Sequence, residues 1–83
     1  MDYIFSFSSR NSAMRFADAL SASGGKYKLV NSPIQNGSGC GLAVKCNDYN
    51  LCSNILNYGH YMGLRAVYSF DGREYKSMYN AGN

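Results

Sequence analysis

The 83 residues, 46% hydrophobic and 16% charged, suit one domain with a modest core and exclude a disordered or solvating chain. The formal charge of +3 comes from Arg10, Arg15, Lys26, Lys28, Lys45, Arg65, Arg73 and Lys76, spread along the chain without a basic block, so counterion-driven nucleic-acid binding is not expected. No apolar run approaches the roughly 20 residues of a bilayer span, and Met1-Asp2-Tyr3 leads into a strand-like segment without the charge pattern of a signal peptide, so a cytoplasmic protein with no membrane partner is expected.

Tyr3-Ile4-Phe5-Ser6-Phe7 places aromatics at every second position, the period of a strand with one strongly apolar face. Ser8 and Ser9 then offer N-cap hydroxyls, and Ala13, Phe16, Ala17 and Leu20 follow at the spacing of one helical stripe. Gly24-Gly25 ends that helix as a left-handed cap would. Lys26 to Val30 alternates as a short second strand, and 31–39 is rich in Pro, Asn, Ser and Gly, so it reads as a loop that delivers Cys40. Leu42, Val44 and Cys46 share one face of a third strand. Asn47-Asp48 caps a second helix that turns Leu51, Cys52, Ile55 and Leu56 inward, with Gly59 as its stop. Leu64 to Phe70 reads as a fourth strand, and the polar residues from Asp71 onward show no apolar period.

The order β-α-β-β-α-β is that of an α+β, ferredoxin-like two-layer sandwich, with two helices on one face of a four-stranded antiparallel sheet ordered 4-1-3-2. The expected organisation is one domain over 1–70 and a polar C-terminal tail over 71–83. In this topology the start of the third strand lies beside the end of the first, near Ser8, Ser9 and Arg10. Cys40 belongs to that end. Cys46 belongs to the other, roughly 20 Å away after about six strand residues, so the three thiols cannot form one site. Cys46 and Cys52 read as small buried hydrophobes, and three reduced cysteines argue against a disulfide scaffold.

Ser38-Gly39-Cys40-Gly41 sets a thiol between two glycines, where the backbone turns sharply and its N–H groups can converge on an anion. A thiolate is such an anion, and a helix N-terminus or a neighbouring Arg10 favours it, lowering the thiol pKa below that of free cysteine. The alternative is structural: a small residue where the loop joins the sheet, with glycines serving the turn alone.

From Pro33 through Cys40-Gly41-Leu42-Ala43 the chain resembles the selenium/sulfur carrier protein-like family, small bacterial domains with a Pro-Arg…Ser-Ser-Cys-Gly loop. The first strand, the serine-led first helix and the strand ending at Phe70 share in the resemblance. Pro33, Ser38, Cys40 and Gly41 match at the family's spacing, whereas Ile34 stands where the family has arginine and Gly39 where it has serine. The resemblance implies a carrier thiol on Cys40 that accepts a sulfur or selenium atom as a persulfide or selenopersulfide and passes it between donor and acceptor proteins. Pro33, Ser38, Gly39 and Gly41 would form the supporting loop, and Ser9 and Arg10 would stabilise the thiolate. Because Ile34 removes the family's charge, Arg10 becomes the main nearby cation.

No turnover enzyme, cofactor or metal is expected. Cys40 has no evident base and acid, His60 lacks a third orienting residue, no Cys-x-x-Cys spacing occurs, and Gly37-Ser38-Gly39 is not followed by a phosphate-loop lysine. The runner-up function is a non-catalytic interaction or regulatory module acting through an open sheet face, which would also serve a homo-oligomer. The residues do not choose sulfur over selenium.

Overall fold

A computed structural model describes residues 1–31, 42–59 and 63–80 of the chain. Its elements run β1 (Asp2–Phe7), α1 (Arg10–Ala22), β2 (Tyr27–Asn31), β3 (Leu42–Cys46), α2 (Tyr49–Gly59), β4 (Leu64–Phe70) and β5 (Tyr75–Asn80). The sheet is antiparallel with order β2-β3-β1-β4-β5. The four expected strands therefore stand in the order 4-1-3-2, and the α+β class holds, but the sheet has five strands rather than four.

The added strand corrects the reading of the polar tail. Asp71 Oδ1 accepts from the backbone N–H groups of Arg73 (2.9 Å) and Glu74 (3.0 Å), a local turn that sends the chain back along β4, with Phe70 opposite Tyr75. Both faces of β5 are open to water, since Tyr75 to Tyr79 are all exposed. A register shift opposite Val67 and Tyr68 disturbs its alternation further. A strand with no buried face carries no period-two signal.

The helices cover one face of the sheet. Phe5, Phe7, Val44, Cys46 and Val67 project from the strands to meet Ala13, Phe16, Ala17 and Leu20 of α1 and Cys52 of α2. Phe16 lies between the rings of Phe5 and Phe7, at 5.2 and 5.4 Å. Each such buried ring contributes about 1.5–3 kcal/mol by leaving water. The α1 stripe is thus the one its spacing predicts, and Phe5 and Phe7 are core rather than an exposed platform. Tyr49 of α2 closes the opposite end of the layer, its ring 5.1 Å from that of Tyr3.

The other sheet face is less open than the interaction reading requires. Ile4, Ala43, Ala66 and Tyr68 form a second cluster there, each no more than 5% exposed. Exposed apolar side chains gather instead on β5, at Tyr75, Met78 and Tyr79. Among the described residues no helix is long and apolar enough to cross a membrane.

Candidate functional site

The register of β3 fixes where the chain arrives from Cys40. Leu42, two residues beyond Cys40 in the sequence, opens β3 and pairs with Asn31, while Ala43 pairs with Ser6. The start of β3 therefore lies beside the end of β1, where Phe7 passes through Ser8 and Ser9 into α1. Cys40, its loop residues Pro33, Ile34, Ser38, Gly39 and Gly41, and His60 lie outside the described residues, which show the frame beside the start of β3.

That frame is a helix N-terminus surrounded by hydroxyls. Ser9 is the N-cap of α1: its Oγ accepts from the Ser12 backbone N–H (3.2 Å) and donates to Ser12 Oγ (3.0 Å). By accepting from Ser12, the Ser9 Oγ satisfies one of the donors that a first turn leaves orphaned. The Ser8 N–H donates to the Gly63 carbonyl at 2.7 Å, tying the turn before β4 to the same place. Gly63 has φ +92, and a Cβ there would stand 2.6 Å from Ser8 Oγ, so only glycine lets the two segments approach this closely.

The electrostatics of the end are one-sided. The first turn of α1 has no acidic residue and begins with the exposed Arg10. A helix N-terminus carries about half a positive charge, which anions stabilise and cations do not. Here the dipole and Arg10 add instead of cancelling, leaving this end of the sheet electropositive. Ser9 and Arg10 were legible as cap and cation. Gly63 was not, because its contact with Ser8 depends on how β4 approaches α1, whereas the Ser12 bond to Ser9 is local and is implied by the cap itself.

The far end of β3 holds the other two cysteines. Cys46 and Cys52 are 4% and 0% exposed, the buried positions their spacing predicts, and their sulfur atoms are in contact. This pairing is new relative to the sequence reading, which set each thiol in the core but not against the other. The structure joins them as a disulfide across the β3–α2 connection, with Cα atoms 7.6 Å apart, which corrects the expectation of reduced thiols at these two positions.

Beside the pair runs an open groove of about 620 Å³ whose walls include Asp2, Lys26, Lys28, Lys45, Cys46 and Asn47. The β2–β3 register creates it, setting Lys28 directly opposite Lys45. Like charges in that relation repel. Lys45 is partly compensated by Asp2 at 3.6 Å and by the Phe70 ring, whose centroid is 6.0 Å away. Among the described residues Lys26 and Lys28 have no ion-pair partner. Charges that look scattered along the sequence are thus gathered by strand pairing.

No curated protein and no solved structure matches the chain. The family described as Putative Se/S carrier protein-like matches residues 2–61, a span that runs from β1 to the end of α2, contains Cys40 and its loop, and stops before β4 and β5. With most of its length covered by that match, the chain belongs to the Se/S carrier protein-like family.

Proposed function

We propose that this protein carries a sulfur or selenium atom on Cys40 and delivers it to an acceptor protein. The observation that carries the reading is the family match, which includes Cys40-Gly41. The α1 N-terminus supports it, because β3 begins beside a dipole that no acidic residue offsets and such an end favours an anionic thiolate or persulfide.

The chemistry needs no cofactor. The Cys40 thiolate attacks the outer sulfur of a donor persulfide. The donor's S–S bond breaks as the new one forms, the donor leaves as its own thiolate, and one sulfane sulfur has moved without net oxidation. A selenium atom held in the same oxidation state would move in the same way and leave a selenopersulfide. Delivery is the reverse step, with an acceptor nucleophile taking the outer atom. This is transfer between partner proteins rather than turnover of a substrate, and it fits a protein acting in the cytoplasm. Pro33, Ser38, Gly39 and Gly41 shape the loop around the thiol, and Ser9 and Arg10 supply the cap and the cation.

Intact-mass measurement after incubation with a sulfane-sulfur donor tests this directly. The wild-type chain gains one sulfur, and Cys40→Ser gains none while remaining folded. Loading of the serine variant would end the proposal.

A second reading, a non-catalytic interaction module, is favoured by one observation: Tyr75, Met78 and Tyr79 stand exposed on the outermost strand. Such an edge accepts a further strand, from a partner or from a second copy of the chain. The readings separate on Cys40→Ser, which abolishes the carrier and leaves an edge-binding module intact.

A further inference from the structure

We infer that Cys46 and Cys52 form a second, redox-active thiol site, a dithiol that exchanges with small anionic disulfides of the glutathione type received in the lysine groove. The inference does not depend on the role of Cys40, which belongs to the other end of β3.

Three observations converge on it. The first is the sulfur-to-sulfur contact between a strand residue and a helix residue, so one thiol is already placed to resolve a mixed disulfide on the other. The second is the order of access. Cys46 is the last residue of β3 and a wall of the groove, followed by the exposed Asn47-Asp48 connection, whereas Cys52 is wholly enclosed. Strand ends beside exposed connections open locally at little cost, and here such opening presents Cys46 first. The third is charge. Three lysines against one aspartate give the groove a surplus of two positive charges. Its volume of about 620 Å³ is in the range that holds a tripeptide-sized molecule. A glutathione-type reagent brings carboxylates to this surplus, whereas a cationic thiol would be repelled.

The sequence of steps balances. The Cys46 thiolate attacks one sulfur of the small disulfide, whose S–S bond breaks. The departing half leaves as a thiolate and takes up a proton, and Cys46 keeps the other half as a mixed disulfide. Cys52, deprotonated in turn, attacks the Cys46 sulfur, expels the second half as a thiol and closes the Cys46–Cys52 bond. The two protein thiols lose two electrons and two protons, and the reagent disulfide gains them as two thiols. Excess thiol runs the steps backwards.

The test uses the full chain carrying Cys40→Ser, so that only the two core thiols remain. Reduced beforehand and then incubated with oxidised glutathione, it is expected to lose two hydrogen atoms in intact mass, and non-reducing peptide mapping then finds Cys46 joined to Cys52. Excess reduced glutathione restores the original mass. Adding Lys26→Glu and Lys28→Glu slows closure by oxidised glutathione roughly tenfold, by loss of electrostatic attraction, and leaves closure by the uncharged hydroxyethyl disulfide unchanged. An unaltered mass, or a glutathione adduct that persists without closing, would overturn the inference. Equal slowing with both disulfides would overturn the part assigned to the groove.

Discussion

The two ends of β3 present cysteine chemistry in opposite settings. At the Leu42 end β3 begins beside a capped helix N-terminus, serine hydroxyls and the exposed Arg10, with no acidic residue in the turn. At the Cys46 end two cysteines are packed among Tyr3, Tyr27, Leu51 and the α1 stripe, with positive charge held outside in a groove. The difference teaches that setting, rather than the number of cysteines, decides their chemistry. Oriented N–H groups at a helix N-terminus favour an anionic sulfur, and sulfur enclosed by hydrocarbon is out of a reagent's reach until the fold opens.

The largest effect expected from this contrast is in thiol reactivity. With an alkylating reagent under native conditions, Cys40 should label on the order of tenfold or more faster than Cys46 or Cys52, because burial and pairing remove access to both. Time-resolved peptide mapping reads the three rates separately. Comparable labelling of all three would erase the distinction between the ends.

Next in size is the cost of adding one methyl group at either end. Gly63→Ala places a side chain on a positive φ and drives it into Ser8 Oγ, which should cost about 1–3 kcal/mol. For a chain of this size that lowers Tm by several degrees, with about 4–8 °C for each kcal/mol. Gly25→Ala meets the ends of two leucine side chains, Leu51 Cδ2 at 2.8 Å and Leu20 Cδ2 at 3.1 Å, and the Leu20 backbone carbonyl oxygen at 3.3 Å, without a positive φ. The leucine termini can rotate aside and the carbonyl need give only a few tenths of an ångström, so the loss should be smaller than at Gly63, about 1 kcal/mol. Thermal unfolding of the pair ranks them, and a larger loss at Gly25 would contradict the account of the Gly63 junction.

Smaller effects separate structural from electrostatic support for the carrier thiol. Ser9→Ala removes the α1 cap and should cost about 0.5–2 kcal/mol. Arg10→Ala should leave Tm nearly unchanged, as exposed charges at helix ends contribute only tenths of a kcal/mol, but should slow sulfur loading without abolishing it. Loading kinetics beside melting curves distinguish the two, and an Arg10→Ala variant that loads at the wild-type rate would remove arginine from the site.

The smallest effect lies outside the contrast and serves as its control. Backbone N–H groups of Glu74 and Arg73 hold the Asp71 carboxyl below its ordinary value. A depressed pKa in the folded state means stability present above the unfolded value, near pH 4, and lost as pH falls through the folded value. The β4–β5 turn should therefore loosen on acidification below about pH 4, and Asp71→Asn should flatten that dependence. Amide exchange in β5 against pH checks it, with thiol loading unaffected.

Legibility in the sequence followed the physics of each segment. The β1–α1 unit was readable because Phe5 and Phe7 alternate and Phe16, Ala17 and Leu20 repeat at helical spacing, each period reflecting one buried face. Given four strands and two helices, right-handed crossovers then fixed the order 4-1-3-2. β5 was hidden because Tyr75, Lys76, Ser77, Met78 and Tyr79 bury neither face. At the candidate site, Ser9 was readable as a cap and Cys40 as a candidate thiol, since both signals are local. The Cys46–Cys52 contact and the grouping of Lys26, Lys28 and Lys45 were not. They arise from how α2 settles on the sheet and how β2 registers on β3, and the nearest clue was two inward-facing cysteines flanking a two-residue connection.

The central claim is that the carrier function belongs to one end of β3. Its most direct test is to treat the wild-type chain, all three thiols reduced, with a sulfane-sulfur donor, trap the persulfides and map them by peptide mass. The account predicts the added sulfur on Cys40 alone, with none retained on Cys46 or Cys52. Sulfur found on Cys46 or Cys52, or shared among all three, would contradict it.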